Sequence, residues 1–246
     1  MTSSTNTKTY ILVHGAWGAA WEFEEVKNLL SKDGSTVHAL DLPGHGDNVK
    51  EIAEVTMVAY VKHIEAFINE LDGKVILVGH SLGGAIISQV AEESFDKIEK
   101  LIYVAAMLPA SGDSALALMQ GDKHGQLLPR LIFSEDQSYV TLDDKTVRDI
   151  LLHDVTDADK LDKAVSGLLV KQAVQPFTAE IKVTAENFGS VPKYYIRSSL
   201  DKVLTPELQD RMITNWNVEK VFTLKSGHFP ITSIASNLTD VIREIG

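Results

Sequence analysis

The chain has 246 residues, of which 44% are hydrophobic and 23% charged. These values are typical of one globular domain with a sizeable core, and they argue against a disordered or membrane-spanning chain. A formal net charge of −11 disfavours nucleic acids and anionic membranes as partners, because both would repel the protein. The absence of cysteine excludes disulfides, thiolate metal ligands and a cysteine nucleophile.

The start of the chain is polar, and its first apolar run, residues 10–13, is too short for a secretory signal or a membrane span. No repeat, low-complexity tract or flexible linker divides the chain. The sequence therefore predicts a cytoplasmic protein with a single domain over residues 1–246, and a homodimer is compatible with it.

Short apolar, β-branched runs alternate with segments of helical spacing along the chain. Such runs are typical of buried strands, and their alternation with helices favours right-handed βαβ crossovers. The predicted fold class is therefore α/β, with a six-stranded, mostly parallel, doubly wound sheet. The predicted strands are residues 9–14, 37–40, 75–79, 101–105, 194–197 and 221–224, and the predicted helices are residues 21–31, 58–71, 83–93, 207–215 and 233–245.

The interval 107–190 breaks this alternation. It has no convincing buried strand, but it has helical patterns at 146–152 and 159–174. A helical insertion between the fourth and fifth strands most simply forms a cap over the carboxyl ends of the strands.

The segment Gly79-His80-Ser81-Leu82-Gly83 follows an apolar strand and precedes a helix. In that context Gly-x-Ser-x-Gly predicts a sharp strand-to-helix turn that exposes the Ser81 hydroxyl above the sheet. The helix N-terminus beneath it favours a developing negative charge. Ser81 is therefore the candidate nucleophile, against the alternative of a chance match.

Two backbone N–H groups are candidates for an oxyanion hole. One belongs to Leu82, which follows the nucleophile, and the other to Ala16 in the loop after the first strand. The alternative for that loop is a tight surface turn shaped by Gly15 and Gly18.

A serine hydroxyl needs a base, and the chain has eight histidines. His228 is best placed, because it follows the last predicted strand. Asp201, after the fifth strand, is the candidate acid that would orient it, and Asp113 is the competing choice. His14 and His80 are predicted to form hydrogen bonds within their own loops.

Apolar side chains near these motifs are candidates for a substrate pocket. They are Trp17, Met107, Leu108 and Phe229, and ordinary packing is the alternative for Trp17, Met107 and Leu108. The acidic clusters at 143–144 and 154–162 suit solvated helix faces and helix N-termini better than a metal site, so no metal is predicted.

Over nearly its whole length, the chain resembles the α/β-hydrolase family that holds the plant methylesterases of the salicylate-binding type, the hydroxynitrile lyases and small bacterial carboxylesterases. The matching segments are His14-Gly15-Ala16 with Trp21, residues 39–42, VILVGHSLGG at 75–84, residues 187–191, Asp201-Lys202 with Pro206-Glu207, and Gly227-His228. The resemblance is weakest over residues 110–183.

This resemblance implies a serine carboxylesterase acting on small apolar or aromatic esters, with Ser81, His228 and Asp201 as triad and no cofactor. The lyases of the family have Thr, Cys and Lys where this chain has Gly15, Leu82 and Phe229, which argues against cyanohydrin cleavage. A hydrolase-fold protein that only binds its ligand is the third hypothesis.

Overall fold

The computed structural model describes residues 8–32 and 34–246, so the polar start at residues 1–7 lies outside the described residues. Nine strands occur within the described part of the chain. They are β1 (Thr9–Val13), β2 (Thr36–Leu40), β3 (Val75–His80), β4 (Ile98–Val104), β5 (Ile132–Phe133), β6 (Tyr139–Thr141), β7 (Gln172–Ala173), β8 (Lys193–Ser198) and β9 (Lys220–Leu224).

Six of these strands form the central sheet, in the order β2-β1-β3-β4-β8-β9. Every neighbouring pair is parallel. All six residues of β3 are buried. Because successive side chains of a strand point to opposite faces, β3 is covered on both faces of the sheet. The predicted α/β class with a six-stranded sheet is confirmed.

The α-helices are α1 (Glu24–Ser31), α2 (Met57–Asn69), α3 (Leu82–Ser94), α4 (Ala115–Gln120), α5 (Asp144–Thr146), α6 (Ala158–Leu168), α7 (Gln175–Thr178), α8 (Pro206–Ile213), α9 (Pro230–Ser233) and α10 (Ala235–Ile245). Helix α1 packs against α10, and α2 packs against α3. The elements of the sheet layers lie within a few residues of their predicted ends.

The segment between β4 and β8, which we call the cap, differs from its prediction. Besides α4 to α7 it contains a small antiparallel sheet, β5-β6-β7. Its strands are two or three residues long, too short to produce a periodic sequence signal. The helix predicted at 159–174 ends at Leu168, because the chain beyond it turns so that Gln172 can pair with Val140 of β6.

Other predictions for the cap are closer. The helical pattern at 146–152 corresponds to α5 followed by a π-helix at Val147–Leu151. Asp143 accepts a hydrogen bond from the Thr146 N–H at 2.6 Å, and Asp157 accepts one from the Lys160 N–H at 3.0 Å. Both acidic residues are therefore helix N-caps.

Within residues 8–32 and 34–246, no helix combines the length and the apolar character that crossing a membrane requires.

Candidate active site

Ser81 lies on the turn between β3 and α3. Its backbone has φ 52° and ψ −121°, a conformation that non-glycine residues rarely adopt. The surrounding structure holds it there, because the Ser81 carbonyl accepts hydrogen bonds from the N–H groups of Met107 at 2.9 Å and Gly84 at 3.1 Å. Backbone strain of this kind costs roughly 1–3 kcal/mol and is concentrated at functional sites.

Close packing around this turn requires glycine at two positions. A Cβ atom on Gly83 would lie 2.5 Å from the Val13 carbonyl oxygen, so α3 can start against the end of β1 only without a side chain there. A Cβ atom on Gly15 would lie 2.8 Å from the Ser81 Cβ. The loop after β1 therefore contacts the serine directly.

Three side chains predicted from separate parts of the sequence form one hydrogen-bonded chain. The Ser81 hydroxyl donates to His228 Nε2 at 2.9 Å, and His228 Nδ1–H donates to Asp201 Oδ2 at 2.8 Å. The other Asp201 oxygen accepts from the N–H groups of Val203 and Leu204, at 2.7 and 3.0 Å. Asp113, the competing acid, instead accepts from the Ala110 N–H.

The environment of His228 favours the neutral imidazole. The residue is only 2% exposed, and burial lowers its pKa below the ordinary value, while the Asp201 carboxylate opposes that shift by favouring the imidazolium. A neutral imidazole at neutral pH can accept a proton from Ser81.

Of the two candidate oxyanion donors, Leu82 follows the serine in the chain, and Ala16 follows Gly15, the residue that packs against Ser81. Leu82 is the first residue of α3, where helix N–H groups lack intrahelical partners. Within the described part of the chain, the N–H groups of Leu82 and Ala16 donate to no other protein group. Both N–H groups are therefore uncommitted within the described residues, as the predicted oxyanion role requires.

Trp17 links the loop after β1, which contains Ala16, to the cap. Its N–H donates to the buried Gln172 side chain at 3.1 Å, and its indole N–H donates to the Val140 carbonyl at 3.2 Å. Its ring also packs against Phe177 of the cap. Trp17 was predicted only as a pocket or packing residue, and the structure adds this link to the cap.

The other predicted pocket residues are buried apolar groups close to the serine turn. Met107 hydrogen-bonds to Ser81 through its backbone, and the Leu108 N–H contacts the Met212 sulfur. The Phe229 ring lies edge-on to His80 and to His228. Apolar side chains thus form part of the surroundings of the hydrogen-bonded chain.

His80 and Glu22 were not predicted as part of the site. His80 Nε2 donates to the His228 carbonyl at 2.8 Å, so its partner lies outside its own loop, contrary to the prediction. Its Nδ1 lies 3.7 Å from a Glu22 carboxyl oxygen. Both Glu22 oxygens are buried without a hydrogen-bond partner, and burial raises the Glu22 pKa. His14 donates to the Gly15 carbonyl within its own loop, as expected, but its Nε2 also accepts from the Leu42 N–H in the loop after β2.

The chain belongs to the alpha/beta hydrolase family, whose sequence pattern matches residues 10–236. It is similar to "Putative methylesterase 15, chloroplastic" of Arabidopsis thaliana, with 33% identity over 97% of this chain and 56% of the relative. It is also similar to Methylesterase 2 of the same plant, with 27% identity over 98% of this chain and 96% of the relative. The predicted resemblance to a family that includes methylesterases is confirmed.

The chain spans between 56% and 64% of the length of several chloroplastic relatives that it matches. Among solved structures, a pyrethroid hydrolase from Sphingobium faniae JZ-2 has a TM-score of 0.84 and 25% identity, covering 98% of this chain and 97% of that chain. That similarity extends over the sheet and the cap alike.

Proposed function

We propose that this protein is a serine carboxylesterase that hydrolyses small apolar or aromatic carboxylic esters through an acyl-enzyme on Ser81. The observation that carries the proposal is the hydrogen-bonded chain Ser81–His228–Asp201 with two unengaged N–H groups beside the serine. The names of the relatives, methylesterases and a pyrethroid hydrolase, support ester cleavage as the reaction class.

In the first half-reaction, His228 Nε2 takes the hydroxyl proton while Ser81 Oγ attacks the ester carbonyl carbon. The carbonyl oxygen becomes an anion that the N–H groups of Ala16 and Leu82 stabilise. Asp201 stabilises the imidazolium that forms on His228. The imidazolium then gives its proton to the departing alkoxide, and the alcohol leaves.

In the second half-reaction, His228 takes a proton from a water molecule, whose oxygen attacks the acyl carbon. Collapse of the second oxyanion breaks the bond to Ser81 Oγ, which recovers its proton from His228. The products are a carboxylic acid and an alcohol, and the protein returns to its starting state. No step requires a metal or an organic cofactor.

The side chains around the serine turn support an apolar substrate. Four buried side chains supply aromatic rings, a thioether and methyl groups, and none of them is charged. They are Trp17, Met107, Leu108 and Phe229. The apolar Phe229 ring beside His228 also argues against cyanohydrin cleavage, because it offers no charge to stabilise departing cyanide. A small-molecule ester is therefore the proposed partner, while the cytoplasmic location and the homodimer stay predictions.

A panel of esters tests this proposal. We expect the purified protein to hydrolyse p-nitrophenyl acetate and butyrate and methyl esters of aromatic acids, and we expect Ser81→Ala to remove this activity. Equal hydrolysis by the variant would refute the proposal. Release of cyanide from mandelonitrile would favour a lyase, and ligand binding without turnover would favour a binding protein.

A further inference from the structure

Two consecutive residues of the cap reach the loops that carry the proposed acid and base. His153 and Asp154 form a turn one residue after the π-helix Val147–Leu151. That π-helix is anchored in the cap, because Val147, Ile150 and Leu151 are buried. The turn therefore continues from a segment that is packed into the cap.

His153 contacts the loop of the acid. Its Nε2 donates to the Leu200 carbonyl at 3.0 Å, and Leu200 directly precedes Asp201. The same loop is tied to the cap a second time, because Lys202 Nζ donates to the Asp149 carbonyl at 2.9 Å. Contacts thus exist on both sides of Asp201.

Asp154 contacts the loop of the base. One carboxyl oxygen, Oδ2, accepts from the Gly227 N–H at 2.6 Å, and Gly227 directly precedes His228. The other oxygen, Oδ1, is buried without a hydrogen-bond partner. A Cβ atom on residue 227 would lie 2.5 Å from that oxygen, so a glycine is required for this approach.

The two loops also bind each other. The Leu200 N–H donates to the Ser226 carbonyl at 2.9 Å, which continues the pairing of β8 with β9. The turn at His153 and Asp154, which we call the cap turn, therefore contacts both loops. His153 binds Leu200, the residue before Asp201, and Asp154 binds Gly227, the residue before His228.

We propose that His153 and Asp154 are positioning residues. Through them the cap holds Asp201 and His228 in place, and the Asp154 carboxylate acts on His228 as a second negative charge besides Asp201. This inference rests on the proposed ester hydrolysis. Without this contact, only Asp201 and His80 would hold the base in place, and a misplacement of about 1 Å can cost roughly 100-fold in rate.

The charge of Asp154 is the second part of the inference. The groups facing His228 are Asp201 from the loop after β8, His80 from the serine turn with Glu22 behind it, and the cap turn. Burial lowers the His228 pKa, Asp201 and Asp154 oppose this, and His80 adds to the lowering. Removing the Asp154 charge therefore lowers the His228 pKa further.

Two substitutions at Asp154 separate position from charge. Asp154→Ala removes the acceptor for the Gly227 N–H, and we expect kcat to fall about 10- to 100-fold with little change in KM. Asp154→Asn keeps an acceptor oxygen but removes the charge, so we expect a smaller loss and an acidic limb of kcat/KM moved to lower pH. Asp159→Asn, on the exposed start of α6, is the matched control and should behave as the wild type.

The same comparison at His153 tests the acid side. His153→Ala should lower kcat, and His153→Gln, which keeps an N–H donor for the Leu200 carbonyl, should restore part of it. If Asp154→Ala fails to fold, the pH profile of Asp154→Asn and the His153 pair decide the question. A wild-type kcat in folded Asp154→Ala, or an unmoved limb in Asp154→Asn, would overturn the inference.

An NMR titration of His228 in wild type and Asp154→Asn separates this inference from the proposed function, because it needs no turnover. A lower His228 pKa in the variant supports the charge effect even if no ester is cleaved. An unchanged titration in a protein that does hydrolyse esters would refute the charge effect and leave the proposed function standing.

Discussion

Ser81 and His228 are separated by one hydrogen bond of 2.9 Å, yet the protein holds them in different ways. Ser81 is fixed by backbone: a strained turn between a buried strand and a helix, packed against β1. His228 lies on a loop after β9 and is held by Asp201, His80 and, through Gly227, Asp154. The serine region should therefore be sensitive to added atoms, and the histidine region to individual charges and hydrogen bonds.

The largest effect is expected on the histidine side. Asp201→Asn should lower kcat about 10⁴-fold, because an amide in place of the carboxylate favours the wrong imidazole tautomer and does not stabilise the imidazolium. Steady-state hydrolysis of p-nitrophenyl butyrate measures this loss. Asp113→Asn is the control and should keep wild-type activity. A loss below tenfold in Asp201→Asn would remove Asp201 from the proposed triad.

The serine side is tested by Gly83→Ala. Its Cβ would lie 2.5 Å from the Val13 carbonyl oxygen, so β1 and α3 must separate. We expect a loss of about 1–3 kcal/mol in the free energy of unfolding, measured by urea denaturation, together with reduced activity. Gly121→Ala, where the nearest atom is the flexible Arg211 guanidinium at 3.2 Å, is the control. Equal stability of the two variants would show that the turn is not tightly packed.

Glu22 behind His80 gives a smaller, pH-dependent effect. Because burial raises its pKa above the ordinary value of 4.5, the folded state binds this proton more tightly than the unfolded state. The free energy of unfolding should thus fall as the pH rises from 4.5 through the raised pKa of Glu22. The Glu22→Gln variant lacks this dependence. Its free energy of unfolding relative to that of the wild type should therefore rise by about 1–3 kcal/mol between pH 4 and pH 8, measured by denaturation at each pH. A constant difference between the two proteins would contradict this.

The smallest effect concerns the pH profile of the wild type. Ser81 can lose its proton only to neutral His228, so kcat/KM should fall as acid protonates the imidazole. Because burial lowers the His228 pKa, the midpoint of that fall should lie below the ordinary value of 6.5. A midpoint above 6.5 would indicate that the carboxylates around His228 outweigh its burial.

The sheet and the serine turn could be predicted because their chemistry is local. The strands are short runs rich in apolar and β-branched residues, most clearly in β3, and the turn at Ser81 needs small residues at fixed positions beside it. Asp201 and His228 could also be located, because each closely follows one of the last two predicted strands, and parallel strands bring their carboxyl ends to the same edge of the sheet as the serine turn.

The cap and the contacts behind the triad could not be predicted, because they depend on residues that are far apart in the sequence. His80 and its partner His228 are 148 residues apart in the sequence, and Asp154 and its partner Gly227 are 73 residues apart. Neither Glu22 nor Asp154 differs in its local pattern from a surface carboxylate, and the cap strands are too short to leave a period. Only the three-dimensional packing reveals these groups.

The most direct test of the account is to identify the residue that becomes acylated. Reaction with a fluorophosphonate, followed by intact mass measurement and peptide mapping, should add one group to the wild type on the peptide containing Ser81. Ser81→Ala should remain unmodified under the same conditions. Modification at another residue, or full ester hydrolysis by a protein whose Ser81 stays unlabelled, would contradict the account.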